Sequence, residues 1–211
     1  DGWVTEIVCM PKQLGCGPPV AAMPTSENDH CRVSGNVTVS STMPGAGSPL
    51  GDAGDIEYPH YLINGRLPEA PVTLEGRPGQ RIRLRIINAG SDTIFRLALG
   101  GHTLTVTHAD GFPVEPRETR AIYLAMGERY DVLVTLGDGA FPLVARPEGK
   151  SGLALAVVRT ASGAAPTPNT PVPELDGDVL LGTQLRAAEG ARLPGGDVDI
   201  AFDVELNGQM D

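Results

Sequence analysis

Three cysteines, four histidines and five methionines are the residues of this 211-residue chain best suited to metal or redox chemistry. Cys9, Cys16 and Cys31 all lie near the start of the chain. Cys9 and Cys16 are close enough to close a short disulfide loop, with Cys31 left over or paired elsewhere. Such a bridge points to an oxidising compartment. Zinc and free thiols are the alternatives, although no CxxC pair is present. An electron-transfer copper centre asks for two His, one Cys and a weak axial Met. Here His30 and Cys31 are chain neighbours with unsuitable side-chain directions, and Met10, Met23 and Met43 are scattered in the same irregular stretch. His102 and His108 share a face if they lie on one strand, but they then stand roughly 20 Å apart. With His60, they read as structural histidines. The sequence predicts no metal site.

Catalytic motifs are equally scarce. There is no GxSxG elbow, phosphate loop or dinucleotide fingerprint. Asp110 and Glu115 could be imagined as a carboxylate pair, but Asp110-Gly111 is more simply a turn between strands. No catalytic and no cofactor-binding residue is assigned.

The elements that would position such groups are short strands. Tyr58 to Asn64 ends on Asn64-Gly65, a strong hairpin signal. Val72 to Leu74 follows, and Pro78-Gly79 turns the chain. In Gln80 to Ile87, Ile82, Leu84 and Ile86 alternate with Arg81, Arg83 and Arg85, the period of a half-buried strand with a solvated arginine face. Phe95, Leu97 and Leu99 alternate, as do Leu104 and Val106, Ile122 and Leu124, Val132, Val134 and Leu136, and Phe141, Leu143 and Ala145. Leu153 to Val158 closes the series. Glycine (27) and proline (19) are frequent and no helical period is visible, so the fold class is all-β, a sandwich or barrel.

Residues 1–56 read as an irregular, Cys-containing segment, with Asp1-Gly2-Trp3-Val4 as the end of a strand. Residues 57–160 form the sandwich core, 161–184 a Pro-, Ala- and Thr-rich linker, and 185–211 a further unit. In that last stretch Val198, Ile200, Phe202, Val204 and Leu206 alternate as an opening strand. The sequence starts without Met or leader and reads as part of a longer chain. Asn36-Val37-Thr38 is a glycosylation triplet of low information. A net charge of −10 argues against a nucleic-acid partner. No apolar run approaches the ~20 residues of a membrane span.

Four stretches in order carry a family resemblance. Tyr58 to Arg66 (YPHYLINGR), Arg81 to Ala89 (RIRLRIINA), Asp110 to Pro116 (DGFPVEP) and Gly127 to Val134 (GERYDVLV) resemble the second domain of three-domain multicopper oxidases. The resemblance implies a cupredoxin-like Greek-key β-sandwich with a long irregular N-terminal loop. It implies a parent, of laccase type, that oxidises phenols or metal ions one electron at a time and reduces O₂ to water. The family's coppers sit in HxH, HxxHxH and HCHxxxH motifs of the first and third domains, and none of these occurs here. The chain is therefore expected to be copper-free and inactive alone, to lie between flanking cupredoxin domains, to wall part of the substrate cleft, and to be secreted or in the cell envelope. Tyr130 is expected to form a tyrosine corner, with its hydroxyl on backbone. The alternative is a stand-alone extracellular β-sandwich binding module.

Overall fold

A computed structural model describes residues 4–12, 58–193, 195 and 200–204; of residues 4–12 it describes the backbone path only. The strands are β1 (Val4–Lys12), β2 (His60–Ile63), β3 (Val72–Glu75), β4 (Arg81–Asn88), β5 (Phe95–Leu99) and β6 (Leu104–Ala109). After them come β7 (Phe112–Thr119), β8 (Ala121–Leu124), β9 (Arg129–Thr135), β10 (Ala140–Pro147), β11 (Ala154–Arg159) and β12 (Val179–Leu180). They form two sheets, ordered β2-β1-β4-β9-β6-β7 and β12-β8-β5-β10-β11-β3. The strand pattern predicts a sandwich or barrel and the family resemblance implies a cupredoxin-like one; the two sheets form that all-β sandwich.

The core follows from the alternation. Ile82, Leu84 and Ile86 point inward and sit opposite Val134, Val132 and Tyr130 of β9, all buried. Arg81 and Arg85 are exposed on the outer face and Arg83 is half-exposed, with Asp131 within 4 Å of Arg83 and Arg85. Asn64 and Gly65 both take positive φ, as do Asp110 and Gly111, so both expected turns use residues that tolerate that conformation.

Three segments depart from the sequence reading. β1 runs parallel to β4 across Val4–Cys9 and antiparallel to β2 across Cys9–Lys12, inside the stretch read as irregular. β7 was not foreseen: it is an edge strand with seven of eight positions at least partly exposed, so it has no apolar period. Residues 172–192, read mostly as linker, pack along the sandwich as a strap. Val172 and Leu175 bury against Ala98, Ala121, Val144 and Leu155 on the outer face of the second sheet. β12 then pairs with β8, and Ala187 bridges to Val114 of β7. Residues 200–204, within the expected opening strand, are exposed and carry no regular structure; the rest of 196–211 lies outside the described residues.

Candidate functional site

The described histidines are placed apart. His60 opens β2 and His108 lies near the end of β6, with β1, β4 and β9 between them; four strand spacings make about 19 Å. His102 precedes β6 and is buried. Its Nδ1 donates to the Gly100 carbonyl (2.8 Å), its Nε2 accepts from the Gly137 N–H (3.0 Å), and its ring stands edge-on to Phe141 at 4.4 Å. Both nitrogens are therefore consumed by backbone. The His108 Nδ1 meets the Thr107 hydroxyl (3.1 Å), which itself donates to the Asp131 carbonyl. Asp110 accepts from the Arg129 N–H (3.0 Å) and faces its guanidinium, while Glu115 pairs with Arg192. The two carboxylates thus serve separate arginines instead of forming a catalytic pair.

Among the described residues no three His, Cys, Asp or Glu side chains converge on a common point. Cys9 has a place on β1, in register with Ile63 and Asn88. Cys16, Cys31, His30, Met23 and Met43 lie outside the described residues, and so does the proposed Cys9–Cys16 bridge.

What the fold does gather is a set of buried charges that hold the strap. Glu148 is 4% exposed and takes a two-pronged hydrogen bond from Arg96, whose Nη1 also donates to the Leu175 carbonyl (3.2 Å). The Glu148 bond, opposed by burial, raises the Arg96 guanidinium further. Arg146 reaches the same carbonyl (3.0 Å). Glu174 accepts from the Gly101 N–H and from Arg120, both at 2.9 Å. Burial opposes its charge, but its own backbone N–H, that of Gly101 and Arg120 together hold its carboxyl below the usual range. Beside it a groove of about 740 Å³ runs between the end of β7 and the strap, lined by Arg117, Glu118, Arg120 and Asp178 among others. None of this was visible in the sequence, because the partners lie 29 to 79 positions apart.

The family described as "Multicopper oxidase" matches residues 33–163. The chain belongs to the multicopper oxidase family. It is 44% identical to the multicopper oxidase MmcO of Mycobacterium tuberculosis over its whole length, which is 40% of that protein. It is 35% identical over 57% of its length to a copper resistance protein A homolog of Pseudomonas syringae pv. tomato, covering 20% of that protein. The chain thus spans less than half of these relatives. A solved structure described as "Fet3p, a Multicopper Oxidase that Functions in Iron Import" superposes with a TM-score of 0.55 at 18% identity, covering 80% of this chain and 30% of that one, which supports the fold.

Copper, the family's cofactor, does not fit the donors this multicopper oxidase chain offers among its described residues. His102 has no free nitrogen, and His60 and His108 are too far apart to share an ion.

Tyr130 also differs from expectation. It is buried in the core, but its hydroxyl partners the Glu128 carboxylate instead of backbone, because the Ala125 N–H folds that carboxylate back over the turn (2.7 Å). Burial, reinforced by Glu128 and Asp110, pushes the phenol above its ordinary range, so it remains a donor. Gly182 of the strap lies over this pair. A Cβ there would stand 2.7 Å from the Tyr130 hydroxyl and 3.2 Å from Glu128 Oε1. Gly182→Ala should therefore cost about 1–3 kcal/mol in urea unfolding. Tyr130→Phe should cost about 1–2 kcal/mol. In the Tyr130→Phe background the Gly182→Ala penalty should shrink, since the obstructing hydroxyl is gone; equal penalties in both backgrounds would reject the contact.

Proposed function

We propose that this chain is the copper-free central domain of a multicopper oxidase. Its parent takes single electrons from phenols or metal ions and passes four of them, with four protons, to O₂ to give two waters. This domain performs none of those transfers. It acts as a scaffold between flanking cupredoxin domains and walls part of the substrate cleft, and it is inactive alone. The observation that carries the reading is the state of the described histidines in a chain of this family: His102 is spent on backbone, and His60 and His108 are separated by the sheet, which supports placing the electron-carrying ligands in other parts of the parent. The short span relative to MmcO supports it.

The parent is secreted or resides in the cell envelope. Cys9 and Cys16 form a disulfide there, which peptide mapping under non-reducing conditions would detect as a single linked mass. The complete reading frame tests the central reading. HxH pairs should precede the sandwich and an HCHxxxH motif should follow it. A frame without them would favour a free-standing binding module.

A further inference from the structure

The fastenings at the start of the strap all have one polarity. Residues 174–176 present two carboxylates and a carbonyl, and the sandwich meets each with a guanidinium. Glu174 Oε1 accepts from Arg120, in the turn between β7 and β8, and from the Gly101 N–H. The Leu175 carbonyl accepts from Arg96 of β5 and Arg146 of β10. Asp176 accepts from Arg146 (2.5 Å). Residues 172–180 hold no lysine or arginine of their own. At the far end the polarity reverses, with the strap's Arg192 on Glu115. There the Glu115 and Ala188 N–H groups and the Val114–Ala187 bridge share the attachment.

Little else holds the first half. Val172 and Leu175 bury against Ala98, Ala121, Val144 and Leu155. Its regular structure is a four-residue 3₁₀ turn, Pro173–Asp176, and the two residues of β12. A segment with so few contacts can open without global unfolding.

Its charged surroundings are lopsided. Glu174 faces Arg120, with Arg117 and Glu118 of β7 and Asp178 of the strap along the adjoining groove. Asp176 faces Arg146 and Arg96, and Arg96 is shared with Glu148 and stands over the Tyr123 ring. Without the charges of Glu174 and Asp176, Arg96, Arg117, Arg120 and Arg146 are opposed by Glu118, Glu148 and Asp178 alone. Glu174 has the larger influence, because it is 6% exposed while Asp176 is exposed and screened by water. Both of its donors go to Oε1. A proton would sit on Oε2, which is buried without a hydrogen-bond partner among the described residues, so the neutral form loses charge assistance and gains no bond. Burial opposes the Glu174 charge, yet its backbone partners and Arg120 keep its carboxyl below the ordinary range, and the Arg146 hydrogen bond does the same for Asp176. Both carboxylates therefore contribute in full at neutral pH, and the contribution is lost as pH falls through those lowered values.

We propose that residues 172–180 are an acid-released latch: neutralising Glu174 and Asp176 lifts them from the second sheet while the sandwich stays folded, baring the apolar face of Ala98, Ala121, Val144 and Leu155. The latch is independent of what the parent oxidises.

Hydrogen exchange of the protein expressed from its complete reading frame, read peptide by peptide by mass spectrometry, tests the latch. Rates are taken relative to those of free peptides at the same pH. Protection of residues 172–181 should fall about tenfold between pH 7 and about pH 3, the size of one pKa unit of differential interaction, while β4 and β9 keep theirs. Glu174→Gln/Asp176→Asn should show that loss already at pH 7, with little further change in acid. Arg192→Gln, at the far end, should keep the pH dependence of the unsubstituted protein. Protection of the strap that persists at pH 3, or that falls only together with β4 and β9, overturns the proposal. So does a double variant that behaves like the unsubstituted protein.

Discussion

Asn88→Ala is expected to lower the stability of the sandwich by about 3 kcal/mol, or roughly 6–12 °C in Tm for a domain of this size. Asn88 is fully buried at the end of β4. Its Nδ2 donates to the Thr93 carbonyl (2.7 Å) and the Leu124 carbonyl (2.9 Å), and its Oδ1 accepts from the Gly90 N–H (2.9 Å). Its backbone also exchanges hydrogen bonds with the Gly127–Glu128 turn. One side chain therefore closes the 88–93 loop and joins β4 of the first sheet to β8 of the second. Truncation leaves buried backbone groups without partners, and these cost more than the bonds themselves were worth. Asn88→Asp keeps the shape and the Gly90 bond but aims a carboxylate at two carbonyl oxygens. Its folded pKa should rise above the free value, so the penalty should be smallest below about pH 4 and grow as pH increases. Urea unfolding at pH 4 and pH 7 reads both effects; an Asp variant as stable as the parent at pH 7 would contradict this role.

Glu148→Gln and Arg96→Met are each expected to cost about 3–5 kcal/mol, because each removes one charge of a two-pronged ion pair whose carboxylate is 4% exposed. Arg96→Met also releases one of the two guanidiniums on the Leu175 carbonyl and the cation that stands 5.3 Å from the Tyr123 ring centre. It should therefore loosen the strap as well as the sheet, with faster cleavage in the 161–171 stretch. The double variant Arg96→Met/Glu148→Leu should recover a large part of the loss, since neither charge then remains to be solvated. A double variant whose loss equals the sum of the single losses would show that the two residues act independently.

The parts of the fold legible from sequence are those whose instructions are local. β4 and β9 declare themselves by alternation because one face meets the core and the other meets water. Asn64-Gly65 and Asp110-Gly111 declare the turns because few residues accept positive φ. β7 declares nothing: it lies at a sheet edge, and Pro113 and Pro116 interrupt it, so its backbone pairing with β6 owes little to side-chain pattern. The strap was hidden for a different reason. Its composition is that of an extended linker, and the three residues that fasten it, Val172, Leu175 and Glu174, are identified only by what they meet. A hint did exist in β11, whose run Ala154 to Val158 is buried at every position. A strand apolar on both faces must be covered on both, and Val172 with Leu175 is the cover. The candidate site was not legible in the sequence, which names neither the buried ion pairs nor the strap they hold. The backbone bonds that occupy His102 depend on Gly137, thirty-five residues away, and no periodicity announces them.

Copper measured per polypeptide, by mass spectrometry after dialysis, bears most directly on the assignment of shape to this chain and electron transfer to its parent. The complete protein should retain stoichiometric copper and oxidise a phenol in air. The 211-residue chain, prepared identically, should retain none and leave the phenol unchanged. Tightly held copper on these residues alone, or oxidation of the phenol by them, would place the redox centre within the sandwich and contradict the account.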